Sequence, residues 1–315
     1  AMQHMANNQD IVIEDNIRVY PRMFYDYEHH VAQDVMRILT SDRGEPLTLL
    51  EGYENEITYS DKQLEAIKAS VCGEKLIVIT GGPGSGKTTL VKAIVDNYVH
   101  NKKAIRLASP TGRAAKVLSD TTEHEASTIH RLLDFVPGLG FGYNADNPLD
   151  TDLVVIDEMS MVDLPLMRHL LRAIPDNATV VLVGDAAQIP SVGPGNVLAD
   201  IISSGVVPVY HLDQIFRQSE GSSIKLAAQQ IDAGNMPDIS NPEGTDFFFL
   251  KNLDETEVAK MIVKLRTEII PAKRGVDPLH DIHVVAPMYK GDAVVTNLNV
   301  LMQMIMNPKE SFVKC

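Results

Sequence analysis

The chain has 315 residues, a formal net charge of −14, 44% hydrophobic residues and two cysteines. This length is enough for about two domains, and the residue usage is that of an ordinary globular protein. The negative charge argues against a protein that coats polyanions generally, but it leaves room for a local basic groove. No apolar run approaches a membrane span, so we expect no membrane partner, and the distant Cys72 and Cys315 favour a reducing cytoplasm.

Residues 1–59 differ in pattern from the rest and predict a small N-terminal helical element, the tail of an N-terminal domain. A short β-like run at 11–13 precedes apolar residues at helical spacing between Tyr25 and Leu39.

From residue 60 to residue 209, apolar runs alternate with helical segments. The predicted strands are 76–80, 104–109, 153–157, 180–185 and 207–212, and the predicted helices between them are 88–100, 113–118, 128–133, 164–173 and 197–202. The apolar runs are nearly continuous, which is typical of parallel strands buried on both faces. This region therefore predicts one α/β domain with a doubly wound parallel sheet.

A second unit is predicted from residue 210 to residue 315. Helical patterns occur at 222–233, 256–269 and 293–306, and strand-like runs occur at 247–250 and 282–286. These strands are too few to close another sheet of the first kind, so we expect the second domain to be incomplete.

The glycine-rich segment between Phe135 and Leu149 has two interpretations. It is too rich in glycine for a helix and suits a short hairpin that projects from the first domain, as an insertion at 136–149. A mobile surface loop is the alternative.

The strongest pattern is a loop of the form G-x-x-x-x-G-K-[ST] between the strand at 76–80 and the following helix, with Gly81, Gly86, Lys87 and Thr88 at the required offsets. Glycines let the backbone amides approach a polyphosphate, Lys87 adds a positive charge at the β- and γ-phosphates, and the Thr88 hydroxyl binds Mg²⁺. A glycine-rich turn with an accidental lysine is the less favoured alternative. The predicted nucleotide-binding residues of the loop are Gly82, Pro83, Gly84, Ser85, Gly86, Lys87, Thr88 and Thr89.

Two other strands end in polar residues that suit nucleotide hydrolysis. In such a fold the strand at 153–157 lies beside the loop strand, so that Asp157 holds Mg²⁺ and Glu158 polarises the attacking water. If the phosphate-binding loop were absent, these two acids would be interpreted as solvated residues at the end of a strand. The strand at 180–185 leads to Gln188, whose neutral amide suits a sensor of the γ-phosphate.

Two segments offer hydroxyls, helix N-termini and cations for a nucleic-acid phosphate. The first, 110–116, contributes Pro110, Thr111, Gly112 and Arg113, and the second, 127–131, contributes Thr128 and His130. Ordinary capped helices explain either segment taken alone. Arg217, which opens the second unit, suits a finger that reaches the γ-phosphate, and a surface ion pair is its alternative.

Taken together, these motifs resemble the RecD-like branch of superfamily 1 DNA helicases, the relatives of the exodeoxyribonuclease V alpha subunit. The resemblance extends from about Tyr20 to Pro308. The matching segments are 60–67, 80–89, 109–116, 128–133, 157–163, 184–195, 216–218 and 286–291. The loop has Ser85 where Thr is usual, and Met159 replaces a common Ala.

The resemblance implies a P-loop NTPase fold with two RecA-like domains, the second one incomplete here. It also implies ATP and Mg²⁺ as cofactors, single-stranded DNA as partner and movement from 5′ to 3′. By the same resemblance Gln63 contacts the adenine, the Thr111 and His130 segments touch DNA, and Gln188 couples the γ-phosphate to DNA. Arg217 becomes an arginine finger, and the glycine-rich segment 136–144 becomes a strand-separating pin.

The later motifs of the family are missing from this sequence. We therefore expect the chain to fold and to bind nucleotide, but to hydrolyse ATP poorly and not to unwind DNA. Two rival functions stay open: a DNA-independent P-loop NTPase, and a binding module that ATP switches. The resemblance also allows a protein that acts alone or one that joins other subunits of a recombination and repair complex.

Overall fold

A computed structural model of the chain describes residues 10–15, 17–42, 44–50, 59–212, 222–251, 254–288 and 291–307. It divides into two compact units, Ala1–Glu220 and Gly221–Cys315. Buried apolar clusters occur in each unit. The domain boundaries that the sequence predicts at 59/60 and 209/210 stay predictions.

The first unit contains the strands of the described residues. They are β1 (Ile11–Glu14), β2 (Arg18–Pro21), β3 (Leu76–Thr80), β4 (Ile105–Ser109), β5 (Ala126–Thr128), β6 (Phe135–Val136), β7 (Gly140–Phe141), β8 (Leu153–Ile156), β9 (Thr179–Gly184) and β10 (Val209–His211). Six of them form one parallel sheet in the order β10-β3-β9-β8-β4-β5. The pairs β1–β2 and β6–β7 are antiparallel.

Helices cover both faces of this sheet. Those of the first unit are α1 (Arg22–Thr40), α2 (Asp61–Cys72), α3 (Lys87–His100), α4 (Gly112–Thr122), α5 (Ile129–Leu132), α6 (Leu164–Ala173) and α7 (Val197–Ser204). A 3-10 turn at Met159–Met161 connects β8 towards α6.

Strand β3 shows why the sheet needs two helical layers. Its five residues are buried, and they alternate between two apolar clusters. Leu76 and Val78 pack in the cluster that includes α1, α5, α6 and α7, whereas Ile77 and Ile79 pack in the cluster that includes α2, α3 and α4. Successive side chains of a strand point to opposite faces, so a continuous apolar run is buried only between two layers. The predicted α/β class is thereby confirmed.

The order of the strands corrects one expectation. The strand that leads to Asp157 was expected beside the loop strand, but β9 lies between β8 and β3. Hydrogen-bonded order is set by the connections and not by the composition of a strand, so the sequence pattern could not reveal it. The three-residue edge strand β5 was likewise not predicted, because it is short and only partly buried.

The N-terminal helix α1 packs against α6 as part of the same apolar cluster. Its buried residues are Val31, Val35 and Ile38. At its C-terminal end the Arg37 guanidinium donates to the carbonyl oxygens of Leu171, at 2.8 Å, and of Ile174, at 3.2 Å. The Leu171 carbonyl also accepts the N–H of Ile174, the C-cap residue of α6, so Arg37 adds a charged donor from outside at the C-terminal end of that helix.

The second unit is helical in the part of it that the structure describes. Its helices are α8 (Ser223–Asp232), α9 (Glu255–Lys264), α10 (Ile270–Arg274) and α11 (Val295–Met306), with a π-helical turn at Leu265–Ile269. Its small core contains Ala259, Val263, Leu298 and Met302. The strands predicted at 247–250 and 282–286 are wrong: neither segment belongs to a strand or a helix, and an apolar run becomes a strand only beside a partner.

Among the described helices, none is both long enough and apolar enough to span a membrane.

The cap that Arg37 provides is testable by thermal or urea unfolding. We expect Arg37→Ala to lower the free energy of unfolding by about 1–3 kcal/mol, because two carbonyls lose a charged donor. Arg22→Ala is the matched control, since Arg22 pairs with Asp26 on the helix surface and is half exposed. Its effect should stay below about 0.5 kcal/mol. Equal effects of the two substitutions would contradict the role of Arg37.

Candidate functional site

The phosphate loop connects β3 to α3 with the geometry that its glycines require. Gly86 is the N-cap of α3 and has φ 84°, in the left-handed region that glycine adopts without cost. A Cβ atom on Gly81 would lie 2.7 Å from the carbonyl oxygen of Leu212 and 2.7 Å from Ser85 Oγ. Glycine at Gly81 therefore lets the chain after β10 close on the loop.

Polar groups inside the loop bond to one another. Lys87 Nζ donates to the carbonyl oxygens of Gly81, at 2.5 Å, and Gly82, at 3.0 Å. Ser85 is buried, and its Oγ donates to the same Gly82 oxygen at 2.9 Å. Thr88 and Thr89 are half-buried in the first turn of α3, next to Lys87. The loop thus holds its own lysine at the start of a helix, where the N-terminus favours an anion.

Asp157 and Glu158 follow β8 and share their electrostatic surroundings with Lys87. Burial raises the pKa of the Asp157 carboxyl. The hydrogen bond from the Glu158 N–H and the charge of Lys87 lower this pKa, but by less than burial raises it. Burial and then the Asp157 charge raise the pKa of Glu158, against the opposing effect of Lys87. The structure therefore brings the loop lysine and the two acids within electrostatic reach of one another.

Glu158 has an unusual backbone conformation. Its φ of 56° and ψ of 43° lie in the left-handed region, which few non-glycine residues adopt. The preceding Asp157 accepts the Glu158 N–H at 2.8 Å, and the Glu158 carbonyl accepts the Met161 N–H at 3.0 Å. Strained residues persist where their surroundings fix them, and they concentrate at functional sites.

The residue predicted as γ-phosphate sensor contacts the turn that follows the acids. Ser160 Oγ donates to Gln188 Oε1 at 3.4 Å, and Ser160 is buried. Gln188 itself is exposed, after the end of β9. This hydrogen bond connects the segment after β9 to the segment after β8.

Sequence reasoning did not include two residues of this site. Asp185, buried at the end of β9, adds a negative charge that raises the pKa of Glu158. Ser160 supplies the hydroxyl that reaches Gln188. An acid at the carboxyl end of a buried parallel strand is a recognisable signal for Asp185. Ser160 carries no comparable signal.

The donor set suits a hard cation such as Mg²⁺. Asp157 offers a carboxylate of which Oδ1 accepts the Glu158 N–H, and Thr88 offers a hydroxyl in the first turn of α3, directly after the phosphate loop. Mg²⁺ is usually bound by one or two such groups together with substrate phosphates and water. Accordingly, the described residues contain no group of three or more His, Cys, Asp or Glu that could hold a metal without phosphates.

Gln63 has a structural role besides the predicted adenine contact. It is almost fully buried, and its Oε1 accepts the Ser60 N–H at 2.9 Å, while Ser60 Oγ accepts the Gln63 N–H. This pair forms a capping box at the start of α2. The predicted contact between Gln63 and adenine stays a prediction.

The two segments predicted to contact DNA are helix caps in this structure. Thr111 accepts the Ala114 N–H at the start of α4, and Thr128 accepts the Arg131 N–H at the start of α5, both at 3.2 Å. Arg113 and His130 are exposed. Pro110 is half-buried and Gly112, the first residue of α4, is exposed. The capped-helix interpretation is thus correct for the backbone, and it leaves the exposed cations available to a ligand.

The glycine-rich segment forms a short hairpin. Strands β6 and β7 pair through Phe135 with Phe141 and Val136 with Gly140, and Leu139 at the turn is 87% exposed. Rings of Phe135, Phe141 and His130 lie within 6 Å of one another, centroid to centroid. The last predicted site residue, Arg217, lies outside the described residues.

A phosphate loop with two acids at the carboxyl edge of a parallel sheet defines the class of P-loop nucleotide-binding domains. The family model described as "AAA domain" matches residues 58–247. The chain belongs to this family.

Two curated relatives show the similarity of sequence. The ATP-dependent RecD2 DNA helicase of Deinococcus radiodurans is 35% identical over 257 residues, which cover 80% of this chain and 34% of the relative. The RecBCD enzyme subunit RecD of Mycobacterium tuberculosis (strain CDC 1551 / Oshkosh) is 33% identical over 256 residues, 73% of this chain and 44% of the relative. The chain thus spans less than half the length of either relative.

Solved structures are more distant. The Pif1 helicase from Candida albicans matches with a TM-score of 0.44 and 23% identity, over 60% of this chain and 50% of that chain.

Burial of Asp157 predicts a conflict between stability and function. Because its pKa is raised, the protonated acid stabilises the fold at low pH, and this contribution is lost as the pH rises through the raised pKa. We therefore expect Asp157→Asn to be at least as stable as the parent at pH 7, without nucleotide or divalent ions. The difference should shrink as the pH falls, in thermal unfolding followed by circular dichroism.

Asp152→Asn is the control for this measurement. Asp152 accepts hydrogen bonds from Lys103 Nζ and from the Ala104 N–H. Loss of this charged acceptor should destabilise the protein by roughly 0.5–1 kcal/mol. A clear loss of stability in Asp157→Asn at pH 7 would contradict the proposed cost of burying its charge.

Proposed function

We propose that this chain is the ATP-dependent motor core of a RecD-like DNA helicase, which binds ATP with Mg²⁺ and moves along single-stranded DNA from 5′ to 3′. The observation that supports this most is the electrostatic proximity of Lys87, Asp157 and Glu158, together with the hydrogen bond between Ser160 and Gln188. The similarity to the ATP-dependent RecD2 DNA helicase of Deinococcus radiodurans favours the same function.

In this proposal nucleotide binding begins with an exchange of partners at Lys87. Its ammonium group leaves the carbonyl oxygens of Gly81 and Gly82 and donates to the β- and γ-phosphates. The residues from Gly82 to Thr89 supply the N–H groups around the phosphates, and Gln63 is proposed to reach the adenine. Mg²⁺, held by Thr88 and Asp157, would neutralise phosphate charge in the transition state.

Hydrolysis is proposed to depend on Glu158 as the group that polarises the attacking water. A base whose pKa is raised towards the working pH accepts a proton more readily in the transition state, and burial raises the pKa of Glu158 in this direction. Gln188 would sense the γ-phosphate, and Arg217 would add positive charge to the transition state as an arginine finger.

The DNA track is proposed to start at the exposed Arg113 and His130, beside the helix N-termini that Thr111 and Thr128 cap. Pro110 and Gly112 complete the first segment. Helix N-termini and cations bind phosphates without reading sequence, as a translocating motor needs.

The hairpin β6–β7 would act as the pin that separates the strands. Other subunits of a recombination and repair complex are proposed partners, by analogy with the relative from Mycobacterium tuberculosis.

Substitution of Glu158 tests the hydrolytic role. We expect Glu158→Gln to lower ATP turnover by about 100-fold or more while leaving nucleotide affinity within about two-fold, since the amide cannot accept the proton. Turnover and affinity are measured by phosphate release and by titration with a fluorescent ATP analogue. Glu123→Gln, on the exposed side of an ion pair with Lys92, is the matched control. Unchanged turnover in Glu158→Gln would instead favour the nucleotide-switched binding module.

The pH dependence of turnover gives a second test of Glu158. The base acts in its ionised form, so turnover should fall as the pH decreases through the pKa of Glu158. Because burial and Asp157 raise this pKa above the ordinary 4.5, the loss should begin at higher pH than for an exposed carboxylate. A rate that stays constant down to the ordinary value would contradict the assignment.

The effect of DNA separates the helicase from a DNA-independent NTPase. We expect single-stranded DNA to stimulate ATP turnover and its affinity to fall steeply with salt, because phosphates are the contacts. Arg113→Ala should reduce the slope of log affinity against log salt by about 0.7, the value for one phosphate contact on a single strand. Lys62→Ala, which removes a cation outside the two DNA segments, should leave the slope unchanged. Turnover that is indifferent to DNA would favour the DNA-independent NTPase.

A further inference from the structure

Helix α6 contacts the hairpin on one side and the N-terminal helix on the other, through neighbouring residues. The His169 ring stacks on Phe141 of strand β7, with centroids 4.5 Å apart and planes tilted by 34°. Arg168 faces α1, where its guanidinium lies 4.6 Å from the centre of the Tyr27 ring and its Nε contacts His30 Nδ1. Helix α6 thus contacts α1 through Arg168 and the hairpin through the imidazole ring of His169.

The first turn of α6 is locked to the loop that follows Gln188. The Leu164 N–H donates to the Pro194 carbonyl at 2.8 Å. A Cβ atom on Gly193 would lie 2.0 Å from Asp163 Oδ2, and a Cβ atom on Gly195 would lie 2.8 Å from Leu164 Cβ. Gly193 and Gly195 therefore allow the loop to pack directly against the first turn of α6. One helix thus touches both the loop after the proposed sensor and the hairpin.

The hairpin needs such an external support. Each of its strands has two residues, and two-stranded ribbons of this size are not stable alone in water. At its base the Gly142 N–H donates to the Asp134 carbonyl and the Tyr143 N–H to the Leu133 carbonyl, and the ring contacts of Phe141 with Phe135, His130 and His169 add a second support. Among these contacts, the one with His169 joins the hairpin to the helix that holds the loop after Gln188.

We propose that His169 is a positioning residue for strand separation: its ring holds the hairpin in a fixed orientation on α6, so that α6 transmits the load from the duplex to the ATPase site. This inference rests on the proposed helicase function. A pin separates a base pair only if the hairpin is displaced less easily than the two bases are separated. Stacking in one aromatic pair and in one DNA base-pair step are of the same order, so the loss of a single supporting ring is enough to matter.

The test measures the opening of the first base pair of a fork at equilibrium, a step that precedes unwinding and needs no ATP turnover. A forked duplex carries 2-aminopurine at its first base pair, and its fluorescence rises when protein binding unstacks that base. The same proteins are titrated with single-stranded DNA and their thermal unfolding is recorded. We expect His169→Ala to reduce the fork-opening signal by about three-fold or more, with single-strand affinity within about two-fold of the parent, because His169 itself is not among the proposed phosphate contacts.

Three further variants make the result specific to the stack. His169→Phe should restore opening, since it keeps a planar ring on Phe141. Phe141→Leu should show the defect of His169→Ala, and the double variant should be no worse than either single one, as expected for two residues that act as a unit. His100→Ala, an exposed imidazole at the end of α3, should behave like the parent.

Full fork opening by a folded His169→Ala protein would overturn the proposal, and so would a parent that binds single strands but does not open the fork. Failure of His169→Phe to restore opening would also overturn it, because the role assigned to His169 is stacking. Failure of the proposed function looks different: the parent then shows no salt-dependent affinity for single-stranded DNA in the first titration.

Discussion

The candidate site depends on the placement of a lysine and three carboxylates at one edge of a parallel sheet. Strands β3, β9 and β8 are hydrogen-bonded in register, with Thr80 opposite Gly184 and Leu182 opposite Ile156, so that they end together. The residues that follow each strand are Lys87 in the loop, Asp185 and Asp157–Glu158. After burial, the Asp157 and Asp185 charges raise the pKa of Glu158, and the loop lysine offsets part of that effect.

This concentration of charge is costly in the absence of a ligand. The buried Asp157 and the left-handed Glu158 are both unfavourable for folding, and the apolar layers on both faces of the sheet offset them. An arrangement that is unfavourable alone and favourable with a polyphosphate and a cation is well suited to binding them. The same logic explains why the site residues lie directly after buried strands and at the start of a helix, where the backbone cannot easily relax away from the strain.

The sequence predicted those parts of the fold in which a local pattern has one structural solution. Strand β3 and its loop were predictable because an apolar run buried on both faces and a fixed glycine spacing have few alternatives. The insertion of β9 between β3 and β8 was not, since chain connections decide it. Residues 247–250 illustrate the reverse error: they have strand composition, but strand formation requires a partner that no local pattern reports. At the site, the residue types indicated Lys87, Asp157 and Glu158, whereas the capping role of Gln63 and the hydroxyl of Ser160 follow only from neighbours in space.

The resting position of Lys87 has a consequence for the way a nucleotide enters. Because Nζ donates to two carbonyl oxygens of the loop, the Lys87 side chain stabilises the conformation of the loop. Arrival of a nucleotide then swaps one set of acceptors for another, and little backbone has to be ordered at that moment. Nucleotide binding should accordingly be close to docking into a preformed site, with little ordering of the loop on binding.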